Sequence, residues 1–148
     1  MEDKSIKMTL EHIAVWTDRL EILKDYYIRY FGGTPNQKYS NPQTGLETYF
    51  ITFASGAKLE IMTLPKLADH KKKTAIPYKG ITHLAFGVDT MAEVDKKAKQ
   101  LEASGFPIVR GPRKTGDGFY EFETLDPDGN RIEVTTISYT DTQSQPAV

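Results

Sequence analysis

Two stretches of the chain repeat the same order of features and decide the fold. Residues 10–34 read LEHIAVWTDRLEILKDYYIRYFGGT, and residues 81–107 read ITHLAFGVDTMAEVDKKAKQLEASGFP. Each begins with a short apolar strand that carries a histidine near its start, continues through a polar turn, and ends in a helix stopped by glycine. The two histidines, His12 and His83, are 71 residues apart. The repeat predicts two copies of one module.

A second repeated signal lies further along each copy. Residues 56–61 read GAKLEI and residues 129–134 read GNRIEV, which places Glu60 and Glu133 73 residues apart. Short alternating runs and turn residues between the helix and this motif indicate further strands in each copy. We therefore expect an α+β fold of two tandem βαβββ modules within a single domain of residues 1–148. The predicted parts are module one (8–64), a linker (65–79), module two (80–137) and a frayed tail (138–148).

Local signals define the elements of module one. Residues 12–16 suit a strand, and Thr17 or Asp18 is expected to cap the helix that follows. An apolar helical face is predicted from Leu20, Leu23, Tyr27 and Tyr30, and Gly32–Gly33 ends the helix. Residues 46–54 and 57–64 are expected to form two further strands.

Module two carries matching signals. Thr90 and Glu93 have the spacing of a capping box, and Gly105 ends the helix. Residues 108–109, 119–124 and 131–137 are expected to be strands, and Asp126-Pro127-Asp128-Gly129 a tight turn. The predicted apolar stripe of the helix comprises Met91, Val94, Ala98 and Leu101.

Composition excludes several classes of protein. The chain has 148 residues, 39% apolar and 26% charged, with a net charge of −1 and no cysteine. This is a globular balance without the basic excess of a nucleic-acid binder, and it rules out thiolate catalysis and cysteine-ligated metals. No apolar run approaches a membrane span, and residues 1–12 lack the apolar core of a signal peptide. We expect a cytoplasmic protein that binds neither nucleic acid nor membrane.

Two basic segments have competing interpretations. The linker contains His70 and Lys71–Lys73, and its composition favours a solvated connection over a lid for an anionic substrate. Arg110, Arg113 and Lys114 are likewise expected in a solvated loop, although they could contact an anion.

Four residues occupy equivalent places in the two modules, and these carry the predicted chemistry. They are His12 and His83 on the first strands, and Glu60 and Glu133 on the fourth strands. Taken singly, such a histidine is more often part of a core, and such a glutamate more often faces solvent. Taken together, two imidazoles and two carboxylates suit a divalent first-row metal ion with open positions for substrate. A buried carboxylate also needs a positive partner.

With the motif DPDGNRIEV at 126–134, these features resemble the vicinal oxygen chelate superfamily, over residues 8–137. That superfamily includes glyoxalase I, bleomycin-resistance proteins and extradiol dioxygenases. The resemblance implies a metal-centred cleft with His12, Glu60, His83 and Glu133 as ligands. It also implies Glu133 as the base that moves a proton between adjacent carbons, and a related part for Glu60.

The resemblance to glyoxalase I implies a metal-dependent lyase or isomerase. Its substrate is a small molecule with vicinal oxygens, and its reaction passes through an enediolate. The ion is one divalent metal per site, with nickel, zinc, cobalt, manganese and iron not distinguished, and the expected assembly is a homodimer. Two alternatives are a ligand-binding protein like the bleomycin-resistance members, and an Fe(II) dioxygenase using His12, His83 and Glu133.

Two positions depart from the glyoxalase I pattern. Trp16 and Leu64 stand where bacterial glyoxalase I proteins have the arginine and asparagine that help to hold glutathione. Neither side chain can replace a charge-assisted contact, which puts glutathione in doubt as the co-substrate. Trp16 and Leu64 could instead line an apolar pocket or fill the core.

Overall fold

The computed structural model describes residues 6–69 and 79–137 and divides the chain into two compact units, 1–76 and 77–148. The basic linker segment with His70 and Lys71–Lys73, and the expected tail at 138–148, lie outside the described residues. None of the described helices is long and apolar enough to cross a membrane.

The first unit is a mixed sheet with one helix. Its elements are β1 (His12–Trp16), α1 (Leu20–Phe31), β2 (Thr34–Pro35), β3 (Tyr39–Ser40), β4 (Glu47–Thr52) and β5 (Lys58–Thr63). The sheet order is β1-β5-β4-β2, with β3 also paired to β4. β1 and β5 run parallel, and the other pairs are antiparallel.

The core of the first unit lies between α1 and the sheet. The predicted helical face of Leu20, Leu23, Tyr27 and Tyr30 is confirmed, and Tyr26, which was not predicted, is buried as well. The strands contribute Ile51, Leu59 and Ile61. Gly32 ends the helix in the left-handed conformation at φ 66°, where its N–H donates to the carbonyl of Tyr27.

The expected helix cap at Thr17 or Asp18 is wrong by one or two residues. Arg19 occupies the cap position and makes no side-chain capping bond. Thr17 remains attached to the sheet, because its N–H donates to the carbonyl of Met62 at 2.9 Å. Its hydroxyl instead accepts a hydrogen bond from the N–H of Arg19 at 3.0 Å. The cap position therefore falls on Arg19, two residues beyond the end of the sheet contact.

The second unit repeats the architecture. Its elements are β6 (His83–Gly87), α2 (Met91–Ala103), β7 (Ile108–Lys114), β8 (Phe119–Leu125) and β9 (Arg131–Ile137). The sheet order β6-β9-β8-β7 places the first strand beside the last and parallel to it, as in the first unit. The predicted fold of two βαβββ modules is therefore confirmed.

The helix of the second unit follows its predicted signals closely. The capping box between Thr90 and Glu93 is present in both directions. Val94, Ala98 and Leu101 are buried against the sheet, but Met91 is exposed because it is the first residue of the helix. The turn at 126–129 also forms, with the N–H of Gly129 donating to the carbonyl of Asp126.

The basic segment expected as a loop belongs to a strand. Arg110, Arg113 and Lys114 lie in β7, which pairs with β8 across two shifts of register. These irregularities interrupt the alternation of apolar and polar side chains, and that alternation is the signal by which a strand is recognised in a sequence. The βαβββ scheme requires a strand between α1 and β4, but the sequence does not locate β2 or β3, because two residues carry no periodicity.

Candidate metal-binding site

His12 and Glu60 lie side by side on one face of the first sheet. The parallel register pairs His12 with Lys58 and Ala14 with Glu60, so the two side chains point to the same side from neighbouring strands. His12 Nε2 lies 3.4 Å from a carboxylate oxygen of Glu60. Glu60 is mostly buried, whereas the imidazole is accessible.

His83 and Glu133 form the equivalent pair on the second sheet. The register pairs His83 with Arg131 and Ala85 with Glu133. His83 Nε2 lies 3.2 Å from a carboxylate oxygen of Glu133, which is buried. Each module therefore brings its own histidine and glutamate together, in the same geometry.

The other ring nitrogen of each histidine is also held. His12 Nδ1 lies 3.0 Å from a carboxylate oxygen of Glu11, and His83 Nδ1 lies 2.8 Å from the hydroxyl of Thr82. In both modules the partner is the residue immediately before the histidine. A contact at Nδ1 fixes the ring and leaves Nε2 as the nitrogen that can ligate a metal, which is the usual support of a metal-binding histidine.

Glu133 has two acidic neighbours that sequence reasoning missed. Glu123 stands directly opposite it on β8, and Glu121 lies two residues further along the same face. Burial raises the pKa of the Glu133 carboxyl above its usual value, His83 opposes that rise, and Glu121 and Glu123 add to it. Arg131 offsets part of the charge, with its guanidinium 3.1 Å from Glu123. The sequence did carry a signal for these neighbours: the alternating pattern FYEFETL at 119–125 predicts a strand with Glu121 and Glu123 on the same face.

The surroundings of Glu60 in the first sheet are different. The position opposite Glu60 is Phe50, whose ring meets the imidazole of His12 edge-on at 5.3 Å between centroids. The nearby charged groups are Lys58 and Glu11, which lie towards the start of β5 and form an ion pair at 2.9 Å. The two modules thus share their histidine and glutamate but differ in the chemistry around them.

The donor types fit a divalent metal ion, since imidazole nitrogen and carboxylate oxygen are ligands that zinc, nickel, cobalt, manganese and iron accept. Within residues 6–69 and 79–137, no group of three or more His, Cys, Asp or Glu side chains is arranged to hold an ion. Each unit supplies two donors, and a catalytic site normally needs at least three. The four-ligand site therefore stays a prediction.

A family model named the Glyoxalase/Bleomycin resistance protein/Dioxygenase superfamily matches residues 9–134. The chain belongs to this superfamily. It is also similar to the uncharacterized protein YqjT of Bacillus subtilis (strain 168), with 34% identity over 62 residues. That match covers 40% of this chain and 48% of the relative, so the chain spans about half the length of YqjT in the match.

Solved structures share the fold at low sequence identity. A lactoylglutathione lyase from Agrobacterium tumefaciens is 23% identical with a TM-score of 0.62, covering 87% of this chain and 93% of that chain. A V278E mutant of glyoxalase I from Zea mays is also 23% identical, with a TM-score of 0.71. It covers 90% of this chain, which in turn spans 46% of the maize protein. These likenesses show the fold.

Proposed function

We propose that this protein is a metal-dependent lyase or isomerase that acts on a small substrate with vicinal oxygens. The observation that supports the proposal is the repeated pair: in each module a histidine Nε2 lies within 3.4 Å of a glutamate carboxylate, at equivalent positions of equivalent sheets. Two such pairs supply the mixture of nitrogen and oxygen donors that a divalent ion needs.

His12, Glu60, His83 and Glu133 would hold the ion. When bound, a divalent cation stabilises negative charge that develops on substrate oxygens, which is worth several kcal/mol. Glu11 and Thr82 hold the imidazoles in the orientation that presents Nε2.

Glu133 is the proposed base. Its carboxylate is buried on the sheet face beside His83, where little water competes for its lone pairs. It takes the proton from the carbon next to the substrate carbonyl and returns it to the neighbouring carbon. Glu60, in the matching place of module one, has a related part in proton transfer.

Metal binding tests the first half of the proposal. We expect the purified protein to take up a divalent ion in calorimetric titrations with nickel, zinc, cobalt and manganese, and His12→Ala to abolish uptake because it removes one nitrogen donor. Glu102→Gln, an exposed change on α2, is the matched control and should retain uptake. Unchanged uptake by His12→Ala would contradict the proposal.

Proton transfer tests the second half. The metal-loaded protein should exchange carbon-bound hydrogen of hydroxyacetone for deuterium in D₂O, observed by NMR. The hemithioacetal of methylglyoxal and glutathione serves as a second probe. Glu133→Gln should reduce exchange by about 10²-fold or more, because an amide cannot accept the proton. Full exchange by Glu133→Gln would overturn the assignment, and no exchange by the parent protein would favour a ligand-binding protein. Fe(II)-dependent oxygen uptake with catechol would favour a dioxygenase.

We also propose that the protein is a homodimer. β1 lies at the edge of its sheet, and the residues before it expose Ile6, Met8 and Leu10 at 85%, 88% and 68%. An open edge beside apolar side chains favours contact with a second copy. Light scattering after gel filtration should give the dimer mass, and Met8→Glu with Leu10→Glu should shift it to the monomer. A monomeric parent at micromolar concentration would contradict this proposal.

A further inference from the structure

One cross-strand row on the first sheet contains two exposed aromatic side chains. The register pairs Trp16 with Met62, Met62 with Thr48, and Thr48 with Tyr39, so these four residues lie side by side across β1, β5, β4 and β3. Paired residues of neighbouring strands point to the same face of a sheet. Trp16 is 51% exposed and Tyr39 is 54% exposed, which excludes a core role for both. We call these four residues the aromatic row.

The aromatic row lies on the same face as His12 and Glu60. Trp16 follows His12 by four residues and Met62 follows Glu60 by two, and even spacings along a strand keep side chains on one face. The row is therefore about 7 Å along the strands from Glu60. This separation is of the order of the length of a small molecule that carries one ring beside its oxygens.

The fold does not require aromatic residues at these positions. In the second sheet the equivalent row pairs Gly87 with Thr135, and Thr135 with Glu121. The same module thus forms with glycine in the place of Trp16 and with threonine in the place of Met62. Trp16 and Tyr39 are both exposed in one row with Met62, and this grouping of apolar side chains, which the fold does not require, points to binding.

The aromatic row carries no charge. Its four members are Trp16, Met62, Thr48 and Tyr39, and the charged Lys58–Glu11 contact lies beyond Glu60 at the other end of the strands. An anionic group over the row would lose hydration without gaining an ion pair from it, whereas an apolar ring would gain burial and stacking.

We propose that the aromatic row binds the uncharged, aromatic part of the substrate, so that the substrate is a ring-bearing compound with vicinal oxygens. This inference rests on the proposed function, because it takes the oxygens to lie at the metal ligands. Trp16 is the specificity-determining residue, with its indole against the substrate ring and Met62 beside it.

Two probes isolate the contribution of the ring. 2-Hydroxyacetophenone and hydroxyacetone have the same adjacent hydroxyl and carbonyl oxygens, but only the first has a phenyl group. We expect the metal-loaded protein to bind 2-hydroxyacetophenone more tightly in calorimetric titration. Saturation-transfer NMR should show its ring protons in contact with the protein. Trp16 is the only tryptophan, so a change in tryptophan fluorescence lifetime on binding reports this residue alone.

Trp16 variants test the assignment. Trp16→Ala should weaken 2-hydroxyacetophenone binding about tenfold and leave hydroxyacetone binding unchanged, because only the ring loses its contact. Trp16→Phe should restore affinity to within about threefold, since it keeps an aromatic face. Ile22→Ala, which truncates an exposed apolar residue of α1, is the control and should bind both probes as the parent does.

The outcomes separate this inference from the proposed function. Equal affinity of Trp16→Ala and the parent for 2-hydroxyacetophenone, with metal uptake and hydrogen exchange intact, would overturn the aromatic row and leave the proposed function standing. Equal affinity of the parent for both probes would also overturn the inference. A parent that takes up no metal would overturn the proposed function itself. The same titrations would then be made on the metal-free protein, where a tenfold loss in Trp16→Ala would still identify a binding site for uncharged rings.

Discussion

Neutralising Glu21 should reveal how α1 is attached to the first sheet. The Glu21 carboxylate accepts hydrogen bonds from Lys24 at 2.7 Å, from Lys38 at 3.2 Å and from the Tyr49 hydroxyl at 3.0 Å. Tyr49 lies on β4, so the cluster joins the helix to the strand that carries Phe50 and Thr48 of the site face. The hydrogen bond from Lys24, with further ones from Lys38 and Tyr49, lowers the pKa of Glu21 from its usual 4.5 to about 2.

The magnitude follows from that pKa and from exposure. A fall from 4.5 to about 2 corresponds formally to about 3 kcal/mol of stability. The Glu21 side chain is 51% exposed, and ion pairs screened by water contribute about 1 kcal/mol or less. We therefore expect Glu21→Gln to lower the free energy of unfolding of the first unit by about 1 kcal/mol at pH 7.

The effect should depend on pH with a definite sign. A carboxyl group whose pKa is lower in the folded state stabilises the fold above its unfolded pKa, and this contribution is lost as the pH falls. The difference between the parent and Glu21→Gln should be full above pH 4.5, shrink as the pH falls, and vanish near pH 2.

Urea unfolding at pH 7 and at pH 3 measures this difference. Trp16 fluorescence reports the first unit specifically, because the only tryptophan lies there, and circular dichroism follows the whole chain. Glu102→Gln, the same chemical change on α2 of the second unit, should leave the Trp16 transition unchanged. An equal loss of stability at both pH values would refute the electrostatic reasoning, as would no loss at pH 7.

Three substitutions in the second unit test its packing. Thr90→Ala removes the capping box with Glu93 and should cost about 1 kcal/mol in thermal unfolding followed by circular dichroism, and an unchanged midpoint would contradict the cap. Phe122→Ala truncates a fully buried ring and should cost about 3–5 kcal/mol, visible as faster amide exchange in β8 and β9. Tyr120→Phe loses the 2.6 Å hydrogen bond to Asp95, which raises the pKa of Tyr120, so ultraviolet titration should lose a late-titrating tyrosine. Loss of a tyrosine that titrates in the ordinary range, with the late-titrating fraction unchanged, would argue against that bond.

The sequence was informative wherever the signal was local. It predicted β1 and β9 with the bounds that the structure has, the capping box of α2, the glycine end of α1 and the duplicated module. Each of these depends on a few neighbouring residues, or on apolar residues that recur about every two positions in a strand or every 3.6 positions in a helix. Backbone geometry fixes both periods. The repeat also selected the histidine and glutamate of each module, which the structure places within 3.4 Å of each other.

Tertiary structure decided what depends on strand pairing. Three features depend on how strands from distant parts of the chain pair with one another. They are the acidic neighbours of Glu133, the row from Trp16 to Tyr39, and the hydrogen bond that attaches Thr17 to the sheet. A sequence fixes which side chains of one strand share a face, because they alternate. It does not by itself state which residue of another strand lies opposite, and the irregular pairing of β7 hides even the strand. Charge and aromatic surface around the two histidines are properties of that register, and so of the fold as a whole.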